Sequence, residues 1–409
     1  MARVLLLVPT RTYRTADFMT AARALGIEVV IGSEQRSALA GLMRDRMLGV
    51  SFEQVDRAVA AIVRFAAGRP PDAIVAVDDT GTVVAAAASA ALGLAGNSVE
   101  AVRASRDKGR ARERFAAAGL LTPRFQIFPS DADPSLVAAA VRYPCVVKPV
   151  DLSGSRGVIR ADEADSCAAA FTRVAALVRS PDVCRPGSAP QSILVEDFIP
   201  GAEFALEGLL RGGVLETLAI FDKPDPLDGP FFEETIYVTP SRQPDAVQAE
   251  MAHTVQRATR ALGLTEGPVH AEVRRNEAGT FMLEVAARSI GGLCARTLRF
   301  GMGVSLEELI LRHAVGLPIQ SLRREDRAAG VLMLPIPRPG VLQQVRGQDE
   351  ARQVPGIEGV VLTVPAGERL VPLPEGDRYL GFVFARGPSA AEVERALRTA
   401  QQQLVVETA

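Results

Sequence analysis

The chain is poor in the residues that build metal or disulfide frameworks. Its four cysteines (Cys145, Cys167, Cys184 and Cys294) form no CxxC pair and its three histidines lie far apart. Neither a zinc site nor a disulfide scaffold is indicated, and a reducing compartment fits. No sign of charge dominates: 46 basic against 48 acidic side chains leave a formal net charge of -2. That balance argues against a nucleic-acid-binding surface. Long apolar runs are also missing. Val4–Val8 is broken at once by Pro9 and then by Arg11 and Arg14, too short for a signal-peptide core. Thr82 to Gly96 falls short of the roughly 18 to 20 residues that span a bilayer. A cytoplasmic protein outside the membrane is expected. The scarcest charged residue is lysine: of the 46 basic residues only Lys108, Lys148 and Lys223 are lysines. In a chain that otherwise writes arginine, a lysine marks a place suited to a compact point charge, as phosphate sites are.

What is present is a chain of 409 residues, long enough for two to four domains at about 100 to 200 residues each. Residues 1 to about 100 alternate apolar strands (Val4–Val8, Val29–Ile31, Ala73–Val77) with helical patterns (Ala16–Leu25, Phe52–Phe65, from Thr82). That alternation predicts a parallel, doubly wound sheet. Val77-Asp78-Asp79-Thr80-Gly81 then puts polar groups at the carboxyl edge of a strand, where such sheets bind ligands. No GxGxxG follows the first strand, so a dinucleotide site is not expected. From about 107 the pattern changes to a helix Asp107–Ala118, a strand Phe125–Phe128, a helix Pro134–Val141, and strands Cys145–Lys148 and Ser192–Glu196. Arg179 to Pro190 reads as a surface loop. After Gly316-Leu317-Pro318 come short strands (Val331–Leu334, Val360–Val364, Gly381–Phe384) and a helix Ala390–Leu404. This reads as a small α+β end domain without catalytic residues.

Three segments carry chemistry. Lys148 ends a buried strand and is followed by Ser153-Gly154-Ser155-Arg156-Gly157, small residues whose backbone N–H groups can converge on an anion beside the lysine. It is not a P-loop, because GxxxxGK[ST] is absent. Val269–Arg274 and Phe281–Val285 predict a hairpin about Glu277-Ala278-Gly279. A three-residue loop there pairs Asn276 with Thr280 and so sets Glu272 opposite Glu284 and His270 opposite Ala286. Two facing carboxylates call for a cation, and with phosphates near, Mg²⁺ is the natural choice. The other face, with Val269, Ala271, Val273, Leu283 and Val285, is expected to be buried. Arg288 follows, leading into Ser289-Ile290-Gly291-Gly292-Leu293. It reads either as an anion holder beside a close backbone approach or as a plain surface arginine.

Taken in order and spacing, Asp107-Lys108, Lys148 with its loop, Leu194 to Glu203, and Glu272 with Glu284 to Arg288 resemble the ATP-grasp superfamily over roughly residues 1 to 315. Within it, Gly267 to Glu272 and Glu284 to Arg288 look most like the L-amino-acid ligases of bacilysin type. The resemblance implies an α/β and α+β architecture: an N-terminal Rossmann-like domain (1–105), an ATP-grasp domain (106–317) with a lid at about 123–197, and a C-terminal α+β domain (318–409). It implies ATP contacts at Lys108, Lys148, Lys223, Ser153, Gly154, Ser155 and Gly157, and a hinge Glu196-Asp197-Phe198-Ile199 that reads adenine. Glu203 falls on the ribose, Glu272 and Glu284 on Mg²⁺ (Mn²⁺ as an alternative), and Arg288 on the substrate carboxylate or its acyl phosphate. Gly291, Gly292 and Leu293 would leave space in the substrate pocket, where those ligases can place a bulky aromatic residue. His270 would accept the amine's proton or serve the structure. One departure is Ala286, where the superfamily usually has a metal-binding asparagine; the bacilysin-type ligases share this alanine.

The implied activity is ATP-dependent joining of a small carboxylate, such as an amino acid, to an amine, in a cytoplasmic enzyme compatible with a homodimer. The alternatives are a biotin-carboxylase-like or other phosphoryl-transfer enzyme, or a nucleotide-binding regulator without turnover.

Overall fold

In a computed structural model the described residues are 1–34, 46–184 and 191–409. The N-terminal unit is built on β1 (Arg3–Leu7), β2 (Glu28–Ser33), β3 (Met47–Gly49) and β4 (Ala73–Ala76), all parallel in the order β3-β2-β1-β4. Helices α1 (Thr15–Ala24), α2 (Val55–Ala66) and α3 (Thr82–Ala91) connect and cover it. This is the doubly wound sheet expected. β1 is buried along its whole length, as a central parallel strand covered on both faces must be. The short strand β3 carries too little apolar pattern to be read from sequence.

Next come α4 (Val99–Arg106) and α5 (Lys108–Ala117), joined at Asp107, whose side chain caps α5 by accepting from the Arg110 N–H. The 123–197 region holds β5 (Phe125–Pro129), α6 (Pro134–Ala140), β6 (Cys145–Pro149), β7 (Ile159–Ala161), α7 (Ala164–Val178) and β8 (Ser192–Asp197). Its strands form an antiparallel sheet in the order β5-β8-β6-β7. Two helices cover that sheet through a core of their own around Phe171 and Val147. Part of the surface loop expected at Arg179–Pro190, residues 185–190, lies outside the described residues.

The centre of the molecule is an eight-stranded antiparallel sheet. It takes β9 (Ala202–Arg211), β10 (Val214–Asp222), β11 (Ile236–Thr239), β12 (Gly267–Asn276) and β13 (Gly279–Ala286), with α8 (Asp245–Leu262) packed behind. After a small hairpin, β14 (Arg299–Phe300) with β15 (Val304–Ser305), and α9 (Leu306–Ala314), the chain returns as β16 (Ala328–Leu334). A three-stranded sheet follows from β17 (Gly340–Arg346), β19 (Arg369–Leu370) and β21 (Val405–Thr408), alongside α10 (Gln348–Gln353), β18 (Ile357–Leu362), β20 (Gly381–Gly387) and α11 (Ala390–Gln403). The large sheet runs β13-β12-β9-β10-β11-β16-β20-β18. The strands expected in an end domain therefore continue the sheet that carries Glu272 and Glu284. One apolar cluster spans Val4, Leu209, Leu298, Val331 and Phe384 and knits the N-terminal, central and C-terminal segments together. Among the described residues no helix is long and apolar enough to cross a membrane.

Candidate active site

A single cleft of approximately 460 Å³ opens between the edge of the N-terminal sheet, the 123–197 sheet and the face of the central sheet. Two lysines enter it from different elements. Lys108 begins α5; its backbone N–H donates to the Val150 carbonyl and its ammonium to the Leu152 carbonyl at 2.6 Å, so it is tied to the start of the Gly/Ser loop. Lys148, on β6, is buried and ion-paired with Glu196 on the neighbouring β8. Burial pushes its ammonium below the ordinary range against the pull of Glu196. Glu196 also accepts from Arg112 Nε at 2.8 Å, and Arg112 is fully buried. Burial would raise the Glu196 carboxyl, but Arg112 and Lys148 hold it down at about 2.

Ser153, Gly154 and Ser155 line the cleft, with left-handed backbone at Gly154, Ser155 and Gly157. Gly157 lies just outside it: its N–H donates to the Pro374 carbonyl at 2.8 Å, while Arg156 Nε donates to the Glu375 carbonyl at 2.9 Å. The loop is thus docked on residues 374–375 of the C-terminal segment.

Asp197, Phe198 and Ile199 line the cleft beyond Glu196. Arg274 secures them: its Nη1 donates to the Ile199 carbonyl at 2.7 Å, its Nε to Glu203 at 2.9 Å, and its guanidinium lies 4.9 Å from the Phe198 ring centre. His270, Glu272 and Arg274 alternate along β12 and all face the cleft, the period-two consequence of a strand.

The hairpin β12–β13 sets Glu272 opposite Glu284 and His270 opposite Ala286, by a different route from the one expected. The turn has two residues, pairing Asn276 with Gly279, and a bulge at Leu283 takes up the extra residue so that the register recovers at Glu284. The bulge turns the Leu283 carbonyl onto Arg112 and its side chain toward the cleft, so Met282, not Leu283, fills the buried face. Glu272 and Glu284 side chains are 23% and 31% exposed. Each has a lysine counterion: Lys223 at 3.3 Å from Glu272 and Lys108 at 3.5 Å from Glu284. The donor set is two facing carboxylates on a cleft, all oxygen, which suits a hard divalent cation completed by phosphate oxygens and water. Ala286 adds no ligand.

Lys223 departs from its expected place at a phosphate. It sits behind the cleft wall, its ammonium 2.7 Å from Glu203, 2.6 Å from Glu234 and 3.3 Å from Glu272. Oxygens of these three carboxylates lie within 4.8 Å of one another, a spacing that could hold a metal ion. The lysine fills that place, so we assign the cluster to the ammonium. Burial opposes its charge, but the three carboxylates raise its pKa well above the ordinary value.

Arg288 is buried, not a plain surface arginine. It donates from Nε at 2.8 Å and makes an ion pair at 2.7 Å to Asp79, from the polar strand end of the N-terminal unit. Burial would raise the Asp79 carboxyl, and Arg288 holds it low; burial raises its neighbour Asp78. His270 lies between two carboxylates, Nδ1 at 3.2 Å from Glu207 and Nε2 at 3.6 Å from Glu272. Burial pushes its pKa down, but the Glu207 and Glu272 contacts outweigh this and raise it to about 9. These contacts favour the protonated ring. Glu207, fully buried, also accepts from the Ile290 N–H at 3.0 Å and so anchors the segment after Arg288.

The substrate-pocket expectation changes most. Leu293 belongs to the apolar core, not the cleft. Gly292 lines the cleft, but the Phe382 ring takes the space beside it: its φ is +59°, and a Cβ built there would lie 2.9 Å from that ring. Gly291 does face open space, with nothing within 4 Å of a built Cβ.

Sequence reading missed Arg112, Arg274, Glu207 and Glu234. Arg112 stands four residues after Lys108 on one helix face, and Arg274 two after Glu272 on one strand face, so spacing could have pointed to both.

Compared with known proteins, residues 141–297 match the ATP-grasp domain model, 19–96 the ATP-grasp N-terminal domain, and 332–409 the L-amino acid ligase C-terminal domain 2. The chain belongs to the ATP-grasp superfamily. The L-amino acid ligase of Bacillus licheniformis superposes with a TM-score of 0.83 at 25% identity, covering 100% of this chain and 99% of that one. The alanine–anticapsin ligase of Bacillus subtilis is 27% identical over 63% of this chain and 56% of its own. An uncharacterized protein of Sinorhizobium fredii is 28% identical over 76% of this chain and 63% of its own. The chain thus spans less than two thirds of the length of these curated relatives.

Proposed function

We propose that this protein is an ATP-dependent carboxylate–amine ligase: a carboxylate, such as that of an amino acid, is phosphorylated by ATP, and an amine displaces phosphate from the acyl phosphate to give an amide, ADP and phosphate. The observation that carries this reading is the meeting in one cleft of Lys108, Lys148 and the Ser153–Ser155 loop with the facing carboxylates Glu272 and Glu284 and the buried Arg288.

On this reading Lys108 and Lys148 neutralise phosphate oxygens and the backbone N–H groups of the loop cradle them. Asp197 to Ile199 meet the adenine, and Glu203 is oriented toward the ribose by Arg274. Glu272 and Glu284 would hold Mg²⁺, or Mn²⁺, whose charge offsets that of the β- and γ-phosphates. Arg288, positioned by Asp79, grips the reacting carboxylate. His270, held between Glu207 and Glu272, lies beside it. Folding of the 123–197 unit over the cleft keeps water from the acyl phosphate.

We place the unit boundaries near residues 105 and 317. We also assign the enzyme to the cytoplasm, where ATP is made and where its free thiols stay reduced. The homodimer is checked by sedimentation, as a single species at twice 43.4 kDa. The deciding experiment measures phosphate and ADP release across a matrix of amino-acid pairs, with product masses. Amide products with stoichiometric ADP are expected. Release dependent on bicarbonate alone would instead indicate a carboxylating phosphoryl-transfer enzyme.

A further inference from the structure

Beyond Arg288, away from the Gly/Ser loop, the cleft has a lobe lined largely by uncharged side chains, with Glu234 on its wall. Its lining comes from four segments: Tyr13 after β1, Cys294 after the Gly291-Gly292 pair, Met333 on β16 and Tyr379 before β20. None of these side chains is charged at neutral pH. Phe382, fully buried, backs the lobe: its ring centre is 5.4 Å from Tyr13 and 5.8 Å from Tyr379, both edge-on. Cys294 Sγ and Met333 Sδ lie 3.6 Å apart. The same Phe382 ring occupies the space that a Cβ on Gly292 would need. The bulk at this end of the cleft is therefore supplied by β20 and its approach, not by the segment after Arg288. The Tyr379 hydroxyl donates to Glu234 at 3.4 Å, which fixes that ring against the wall.

Aromatic edges and polarizable sulfur together favour flat or thioether-bearing apolar groups, and the Glu234 carboxylate on the same wall opposes an acidic side chain. Resting on the ligase reading above, we infer that this lobe receives the side chain of the amino acid whose carboxylate faces Arg288, and that Tyr13, Cys294, Met333 and Tyr379 select aromatic or long apolar side chains over small or acidic ones. Met333 and Tyr379 are then specificity determinants contributed by a segment that looked non-catalytic in sequence.

The test uses the full chain with saturating ATP and an excess of the second amino acid. It compares kcat/KM by phosphate release for phenylalanine, methionine, alanine and aspartate as donors, the donor being identified by product mass. The wild type should rank phenylalanine and methionine first and aspartate last. Met333→Phe narrows the lobe and should lower the phenylalanine-to-alanine ratio by roughly 10-fold or more, within the range of about 10- to 200-fold that pocket fit commands. Met333→Ala should move the ratio the other way, which protects the conclusion if the larger residue misfolds. The KM for ATP reports whether either change has distorted the nucleotide half of the cleft. If both variants fold and leave the donor ratio unchanged, the assignment falls.

Should the wild type release no phosphate with any pair, calorimetry of phenylalanine and alanine binding, with a non-hydrolysable ATP analogue present, separates the two ideas. Tighter phenylalanine binding that Met333→Phe reverses upholds the lobe and removes the ligase reading. Binding with no preference, or no binding, removes the lobe as well.

Discussion

Arg112 is one of 43 arginines, yet it joins three parts of the site: it holds Glu196 on β8, donates to the bulge carbonyl of Leu283 on β13, and through Glu196 sets Lys148. Removing one member of a buried ion pair leaves the other uncompensated, typically at about 3–5 kcal/mol. Arg112→Met should therefore lower stability by that order in urea titrations, far more than loss of a surface arginine. The same network sets an acid response. Arg112 and Lys148 hold Glu196 at about 2 in the fold against an ordinary 4.5, so its contribution is present above about pH 4.5 and is lost as pH falls toward 2. The stability gap between wild type and Glu196→Gln should accordingly narrow from about pH 5 to pH 2; a gap that widens would mean the carboxylate is not held low. At Glu284 the partner is the looser Lys108 pair at 3.5 Å, worth about 0–1 kcal/mol. Glu284→Gln should abolish phosphate release while the melting temperature stays nearly unchanged, and normal release would remove Glu284 from the site. Residues of a rare type were legible in sequence: two of the three lysines lie in the cleft. Arginines such as Arg112 and Arg274 were hidden by their abundance, and Lys223 was misplaced because sequence does not show three glutamates converging on it.

At the scale of elements, the β12–β13 hairpin shows what period-two alternation can and cannot tell. Alternation placed His270 and Glu272 on one face, because a strand has no other choice, and the missed Arg274 follows on the same face. The bulge at Leu283 left no local mark, since its cause is a donor 171 residues away in sequence. The turn and the bulge shift the register in opposite senses, which is why the expected partners for Glu272 were found despite a wrong turn. The Gly291-Gly292 pair gives a sharper contrast. Both are glycines, but only Gly292 has left-handed backbone and a ring 2.9 Å from its built Cβ. Gly292→Ala should cost about 1–3 kcal/mol through backbone strain and crowding. Gly291→Ala should leave the melting temperature within a degree or so and act, if at all, on the KM for amino acids. Equal melting temperatures for the two variants would mean that Phe382 yields.

At the scale of the whole molecule, the N-terminal sheet was legible because parallel strands covered on both faces are continuous apolar runs. The central sheet was not, because an antiparallel strand does not name its neighbour. Thus β16, β18 and β20, expected within a C-terminal domain, also complete the sheet of the site. Cutting after residue 317 should therefore give no independently folded product: β11 would lose its four-residue pairing with β16, and Phe384 and Met333 would leave the shared core. A soluble 1–317 fragment with a cooperative thermal transition would contradict this. The interleaving also bears on how the chain is made. Emerging from the ribosome in order, β9, β10 and β11 can pair as soon as they appear, but β16 is still unmade and β20, which sits between β16 and β18, comes last of the three. At roughly 5–20 residues per second, the edge of β11 stands open on the order of ten seconds, with Ile236, Tyr237 and Val238 awaiting partners. The nascent chain must be shielded over that interval, and a slow codon placed between Thr239 and Ala328 would lengthen it.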